Sequence, residues 1–370
     1  MTPPSKPLVA FMYLGRRGAL GRFTYALAET AAKIDDADFA FVISANSEIA
    51  PEFEGSGLPV TKIKTFERAA SPDLVTGFFE AKRELTDWLA KNRPAAVVTL
   101  MPHIWTPALA PAIQKMGVKY LTIIHDAVRH PGDQTGWMTR WMRSEAKTAD
   151  LTITLSHAVA DRLIERGLAD PRRVFPLYHP DLHFGDMPPE RDYDGKRPLR
   201  LLFFGRIMKY KGLPLFVDAM EILREQGVPI EVGLAGSGDL GPERTRLERL
   251  GAEIINRWIP DSEIHGILSR YDAMACSHME ASQSGVVCAA FGTAMPVVAM
   301  PVGGIAEQVV DGETGVLSRR MTPQGFAEAV KRLATEPGLY QHITTHLTET
   351  AENRSMERFL REIVGEIGTL

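Results

Sequence analysis

FFGRIMKYKG, residues 203–212, holds the outline of the fold in one short stretch. The apolar run LRLLFF ends in Gly205, Arg206 follows, and Lys211-Gly212 opens a stretch from Leu213 to Gln226 with helical spacing of its apolar residues. A buried strand that runs through a glycine loop into an amphipathic helix is the first half of a βαβ crossover. Downstream the pattern repeats through IEVGLAG, AEIIN, AMACS and PVVAM. Upstream, PLVAFMYL (7–14), FAFVIS (39–44), AAVVTL (95–100), KYLTII (119–124) and LTITLS (151–156) read as buried strands, with helical patterns such as Phe78–Lys91 and Ala158–Arg166 between them. The expected fold class is therefore α/β, with two doubly wound, Rossmann-like parallel sheets.

HPDLHFGDMPPERDYDGKRP (179–198) is rich in Pro, Asp and Gly and lacks periodicity, so it reads as a connection between the two sets. The expected division is 1–182, a linker 183–198, a second domain 199–345 and a terminal helical segment 346–370. Two sheets so linked form a cleft, and open α/β sheets take ligands beyond the carboxyl ends of their strands. The loops after the strands are where chemistry belongs.

The chain has 370 residues, 45% apolar and 24% charged, with a net charge of -4, which argues against general binding to nucleic acid. Cys276 and Cys288 are too few for a disulfide framework and read as buried thiols of a reducing compartment. No apolar run approaches a bilayer span, and the N-terminus lacks a signal-peptide cleavage pattern. A cytoplasmic location is expected. In GWMTRWMRSEAK (136–147), Trp137 and Trp141 with Arg140 and Arg143 suit either core packing or peripheral contact with a membrane face.

Three loops carry the strongest signals. Arg206 and Lys211 beside glycine backbone suit a diphosphate. Glu280-Ala-Ser282-Gln283-Ser284-Gly285-Val286, after AMACS, sets a carboxylate and small polar groups at a strand end, where they suit sugar hydroxyls or an anion. PVGGIAEQVVDGETG (301–315) contributes Gly303-Gly304 and Glu307 at a helix start. Gly236-Ser-Gly238-Asp-Leu-Gly241 matches a dinucleotide fingerprint, but it lies on the second strand of its set and Pro242 follows directly, so it reads as a decoy. In the first half, Gly15 and Gly18 with Arg16 form a loop open to a phosphate or sugar. His103 and His125-Asp126 close strands, and His130 follows. The spacing of these histidines fits no zinc site, so no metal is expected.

The order Gly205-Arg206, Lys211-Gly212, Gly236-x-Gly238, Glu280, Pro296, Gly303-Gly304, Glu307 and Asp311-Gly312-x-x-Gly315 resembles the C-terminal domain of glycosyltransferase family 4. The resemblance implies a GT-B fold, retention of anomeric configuration, no metal or other cofactor, and a final helix that returns to the first domain. It implies Arg206 and Lys211, with Gly15 and Gly18, at the donor diphosphate. Glu280 and His125-Asp126 fall near the transferred sugar, and Ser282, Gln283, Ser284, Gly285, Val286 and Glu307 on the donor sugar or nucleotide. His103 and Arg16 are left for the acceptor. The sequence departs from the family at Cys288, where a second acid is usual.

The expectation is a retaining transfer from a nucleotide-diphosphate sugar to a carbohydrate or lipid-linked acceptor, in bacterial surface polysaccharide assembly. A nucleotide-sugar epimerase and a non-catalytic sugar-nucleotide binder are the alternatives.

Overall fold

Each half of the chain builds one sheet, and every registered strand pair is parallel. The computed structural model describes residues 6–16, 18–54, 56–66, 73–127, 140–142, 144–185 and 191–370. The first sheet holds β1 Leu8–Tyr13, β2 Asp38–Ser44, β3 Val60–Ile63, β4 Ala96–Thr99, β5 Lys119–Ile124, β6 Leu151–Thr154 and β7 Val174–Pro176, in the order β3-β2-β1-β4-β5-β6-β7. The second holds β8 Leu199–Phe204, β9 Ile230–Ala235, β10 Glu253–Ile255, β11 Ala273–Cys276, β12 Val297–Ala299 and β13 Gly315–Leu317, in the order β10-β9-β8-β11-β12-β13. Both orders reverse beside the first strand, between β1 and β4 and between β8 and β11, which is where doubly wound sheets open a ligand crevice.

The strands read as unbroken apolar runs because helices cover both faces. In β1, Val9, Phe11 and Tyr13 pack with the helices Ala19–Ala31 and Met356–Thr369. Ala10 and Met12 face the helices Asp73–Asn92 and Thr106–Lys115. The short strands β3, β7 and β13 carry no apolar run long enough to announce them.

The compact units divide differently from the sequence expectation. The chain passes to the second unit after Tyr178 and returns to the first at Met356. The described residues of the expected linker, 183–185 and 191–198, are tied to the second unit. Tyr193 lies in the core of the second unit. Arg191 donates to Thr293 O at 2.6 Å and to Tyr271 O at 2.7 Å, and the His183 ring bonds Gly292 O at 3.0 Å. A stretch without periodicity can still be ordered by hydrogen bonds to distant carbonyls, which no local pattern reveals. The helix Leu339–Glu349 likewise stays in the second unit through Leu339, Tyr340, Ile343 and Leu347. Met356, Phe359, Leu360, Ile363 and Ile367 then complete the first core.

The dinucleotide-like glycines have a local explanation. Gly205 N–H donates to Ala235 O at 2.9 Å and Ile207 N–H to Ser237 O at 2.8 Å, so the loops after β8 and β9 continue the sheet. A Cβ on Gly236 would lie 1.9 Å from Gly205 O, and one on Gly238 would lie 2.5 Å from Ile207 O. These glycines admit a neighbouring backbone. Gly236→Ala is expected to destabilise the second unit by roughly 2–4 kcal/mol through overlap and a φ disfavoured for L residues, read as a lower denaturant midpoint.

One ionisable group is sealed in the first unit. Glu145 is fully buried; it accepts from Tyr120 Oη at 2.6 Å and meets Thr106 Oγ1. Thr106 Oγ1 also donates to His103 O at 2.8 Å, so a protonated Glu145 completes the set as donor to Thr106. Burial pushes its carboxyl up to about 7. Because the folded value lies above the unfolded one, the folded state binds more protons across the interval between them. Stability is then highest below the ordinary carboxylate range and falls as pH rises through about 7. From pH 5 to pH 8 the melting temperature of the wild type should fall relative to that of Glu145→Gln, an isostere of the protonated acid.

Among the described residues, no helix is long and apolar enough to cross a membrane.

Candidate functional site

The loops after β8 and β11 flank the reversal of the second sheet, and they are bound to each other. Ser277 Oγ donates to Lys211 O at 2.9 Å, and Met279 N–H donates to Tyr210 O at 2.7 Å. Gly212, at φ +70°, lets the first loop lie on Ser277 O, which a Cβ would approach to 2.2 Å. The loop after β12 closes on the same ridge: Gly303, at φ +47°, sits where a Cβ would fall 1.8 Å from Ala281 O. Arg206, Lys211, Glu280 and the 282–286 segment are therefore held on one tied framework.

Within it, Lys211 is the unusual group. The residue is 7% exposed, and among the described residues its ammonium has a single hydrogen bond, to Phe204 O at 3.4 Å. It lies over Gly205, where a Cβ would come within 2.9 Å of Nζ. Burial pushes its pKa down to about 8, with Arg206 adding repulsion and the Cys276 thiol opposing. A buried, under-bonded cation beside an exposed Arg206 is a site prepared for an anion, since an opposite charge supplies what burial removed. Anion affinity should fall as pH rises through about 8 and Lys211 loses its proton. Lys211→Gln should remove that fall and leave only the pH dependence of pyrophosphate's own ionisation, checked by calorimetric titration from pH 6.5 to 9.5.

Glu280 stands exposed at the end of the β11 loop. Ser282 and Ser284 are buried, and Gln283 Oε1 is enclosed without a hydrogen-bond partner. Ser284 precedes the helix Gly285–Phe291, and its carbonyl accepts from Val287 N–H at 3.0 Å and Cys288 N–H at 3.3 Å. The amides of Gly285 and Val286 have no acceptor within the helix. Glu307 is exposed in the first turn of Ile305–Gln308. Cys288 is buried against His179 O at 3.5 Å, and its thiol is pushed well above its ordinary pKa by burial. Sequence reasoning missed Gln308, whose carboxamide grips Ser284 and Cys288.

The first unit is organised otherwise. Gly15 is a packing glycine; a Cβ there would meet the Tyr13 ring at 2.6 Å and Met101 Sδ at 2.7 Å. Gly18, at φ +112°, caps the helix Ala19–Ala31, and its N–H already donates to Glu48 Oε1 at 2.8 Å. Arg16 is half-buried, with its carbonyl accepting Glu48 N–H. The protein's own carboxylate thus holds the amide that the sequence assigned to a phosphate. His103 is wedged between Phe66 and Trp105, with Nδ1 accepting from Trp105 N–H at 3.3 Å, and burial pushes it down to about 4. His125 is buried, edge-on to Phe23, and its Nε2 bonds Leu100 O at 2.9 Å. Burial lowers its pKa against the pull of that carbonyl and of Asp126, so the ring is neutral; Asp126 is exposed. Trp141 donates to Ile104 O at 2.7 Å and is partly exposed. His130, Trp137 and Arg143 lie outside the described residues. Among the described residues, no cluster of three or more His, Cys, Asp or Glu is placed to hold a metal ion.

Two parallel sheets with a tied, cationic rim on the second define a two-domain α/β enzyme of GT-B type. Family models agree on both units: "Glycosyl transferases group 1" matches residues 198–336 and "Glycosyl transferase 4-like domain" matches 18–178. The chain belongs to this family of glycosyltransferases. It is 24% identical over 375 residues to the D-inositol 3-phosphate glycosyltransferase of Streptomyces bingchenggensis, covering 91% of this chain and 82% of that one. Against the same enzyme of Actinosynnema mirum, 29% identity extends over 60% of this chain and 57% of the relative, so there the chain matches little more than half of its relative. The structure of Anabaena HepE in complex with UDP has the same fold, with a TM-score of 0.74, 17% identity and coverage of 98% of this chain and all of that one.

Proposed function

We propose that the protein is a retaining glycosyltransferase that moves a sugar from a nucleotide-diphosphate sugar to an acceptor hydroxyl. The observation that carries this reading is Lys211, buried with one weak hydrogen bond beside Arg206 at the reversal of the second sheet. A diphosphate supplies the missing negative charge, and its charge grows as the glycosidic bond breaks, so the two cations favour the transition state over the ground state. In this reading they do the work a divalent cation would otherwise do. Glu280 contacts hydroxyls of the transferred sugar, and the 282–286 segment holds the donor's sugar and phosphate. The acceptor oxygen attacks the face from which the diphosphate leaves, and a phosphate oxygen takes its proton. His125 serves as a neutral hydrogen-bonding ring, since its Nε2 is committed to Leu100 O and its pKa is lowered.

A uridine donor is favoured by the complexes of Anabaena HepE with UDP and with UDP-glucose. The acceptor is a carbohydrate or a lipid-linked glycan in surface polysaccharide assembly, handled at the cytoplasmic membrane face. Support for a carbohydrate acceptor comes from the glycogen synthase of Thermus thermophilus, 32% identical over 40% of this chain. A thermal-shift screen of UDP-, GDP-, ADP- and dTDP-sugars identifies the donor through stabilisation by binding. With that donor, Arg206→Ala and Glu280→Ala should each lower kcat/KM by about 100-fold or more in a product assay that also reads anomeric configuration. Unchanged turnover in both variants, or an inverted product, overturns the reading.

A further inference from the structure

We infer that Gln308 is a positioning residue for the donor loop and that Cys288 is its anchor, an inference that rests on the donor reading above. One carboxamide closes both backbone groups of Ser284. Its Oε1 accepts from Ser284 N–H at 2.8 Å, and its Nε2 donates to Ser284 O at 3.3 Å. The side chain thus acts as a strand partner for a single residue. That residue starts the helix Gly285–Phe291, so fixing it fixes the direction in which the amides of Gly285 and Val286 point.

The same Nε2 donates to Cys288 Sγ at 3.2 Å, and the thiol hydrogen is directed to His179 O at 3.5 Å. The thiol keeps that hydrogen because burial and the nearby charge of Asp181 hold its pKa far above the ordinary value. Cys288 also receives Leu182 N–H at its carbonyl at 3.1 Å, and Gly292, one turn on, has room for Leu182 O where a Cβ would come within 2.1 Å. The helix that carries the donor loop is therefore seated on residues 179–183 from below and steered by Gln308 at its entrance. A carboxylate at position 288 would enter a buried space already held by Asp181, whose Oδ1 is enclosed without a partner. In this arrangement Cys288 holds Gln308 and residues 179–183 together.

The roles separate by experiment. Gln308→Leu keeps the volume and removes every hydrogen bond, whereas Gln308→Glu retains an acceptor for Ser284 N–H. The probe is whichever of UDP, GDP, ADP and dTDP stabilises the wild type most. Gln308→Leu should raise its Kd and the donor KM about tenfold, leave the acceptor KM within about twofold, and speed hydrogen exchange at the Ser284 amide. Gln308→Glu should restore most of the donor KM. In a double-mutant cycle, Cys288→Ala should cost the Gln308→Leu background less than the wild type. If Lys211→Gln weakens the probe but Gln308→Leu changes neither donor KM nor Ser284 exchange, the positioning role is wrong while the donor site stands. If Gln308→Leu lowers stability but leaves the KM split unaltered, the role is packing alone and the inference fails. If the wild type binds none of the four nucleotides, the donor reading and this inference fall together.

Discussion

The second unit depends on backbone lying directly against backbone at the carboxyl ends of its strands. Gly236 on Gly205 O, Gly212 on Ser277 O and Gly303 on Ala281 O are contacts that no side chain can share. Such closeness leaves no layer of side chains or water between the loops. Lys211 must then extend through a dry rim, which depresses its pKa and leaves its ammonium short of partners. The glycines are therefore the remote cause of the electrostatics: remove the clearance at one of them and the cation regains solvent or loses its place.

Much of this was legible in the sequence. A strand of Leu and Phe ending in Gly205 with Arg206 and Lys211 behind it can be read without coordinates, because strand, loop and charge are all local. Both candidate loops lie at the reversal of strand order because the alternation of strands and helices already implies a doubly wound sheet. Other features were hidden in pairings between distant residues. Gly236 and Gly238 imitate a cofactor loop in sequence, and only the neighbouring strand shows what they make room for. Gln308 looks like one polar residue on a short helix until Ser284 and Cys288 are brought to it. The segment around Arg191 and Tyr193 has the composition of a linker, yet its order comes from carbonyls at Tyr271 and Thr293.

The first unit shows the converse. Its glycine loop invites the same anion reading, and there the amide of Gly18 already donates to the carboxylate of Glu48. A helix N-terminus is indifferent to whether the charge it meets belongs to a ligand or to a side chain. His103 and His125 were chosen for their place after strands, and both are held by ring contacts and backbone bonds. The two sheets share the order of their first six strands, and they differ in that a rim amide of the first is bonded to the protein's own carboxylate.

The return of the chain at Met356 bears on synthesis. Phe359, Leu360, Ile363 and Ile367 fill the face of the first core beneath Val9, Phe11 and Phe23. Residues 8–178 leave the ribosome before residues 356–367, yet the first core cannot close without those later residues. The second unit, whose described residues fall between His179 and Ser355, can complete itself sooner. Domains generally fold as units during translation, so the second unit can close before the first, whose core still needs the apolar face of the helix Met356–Thr369.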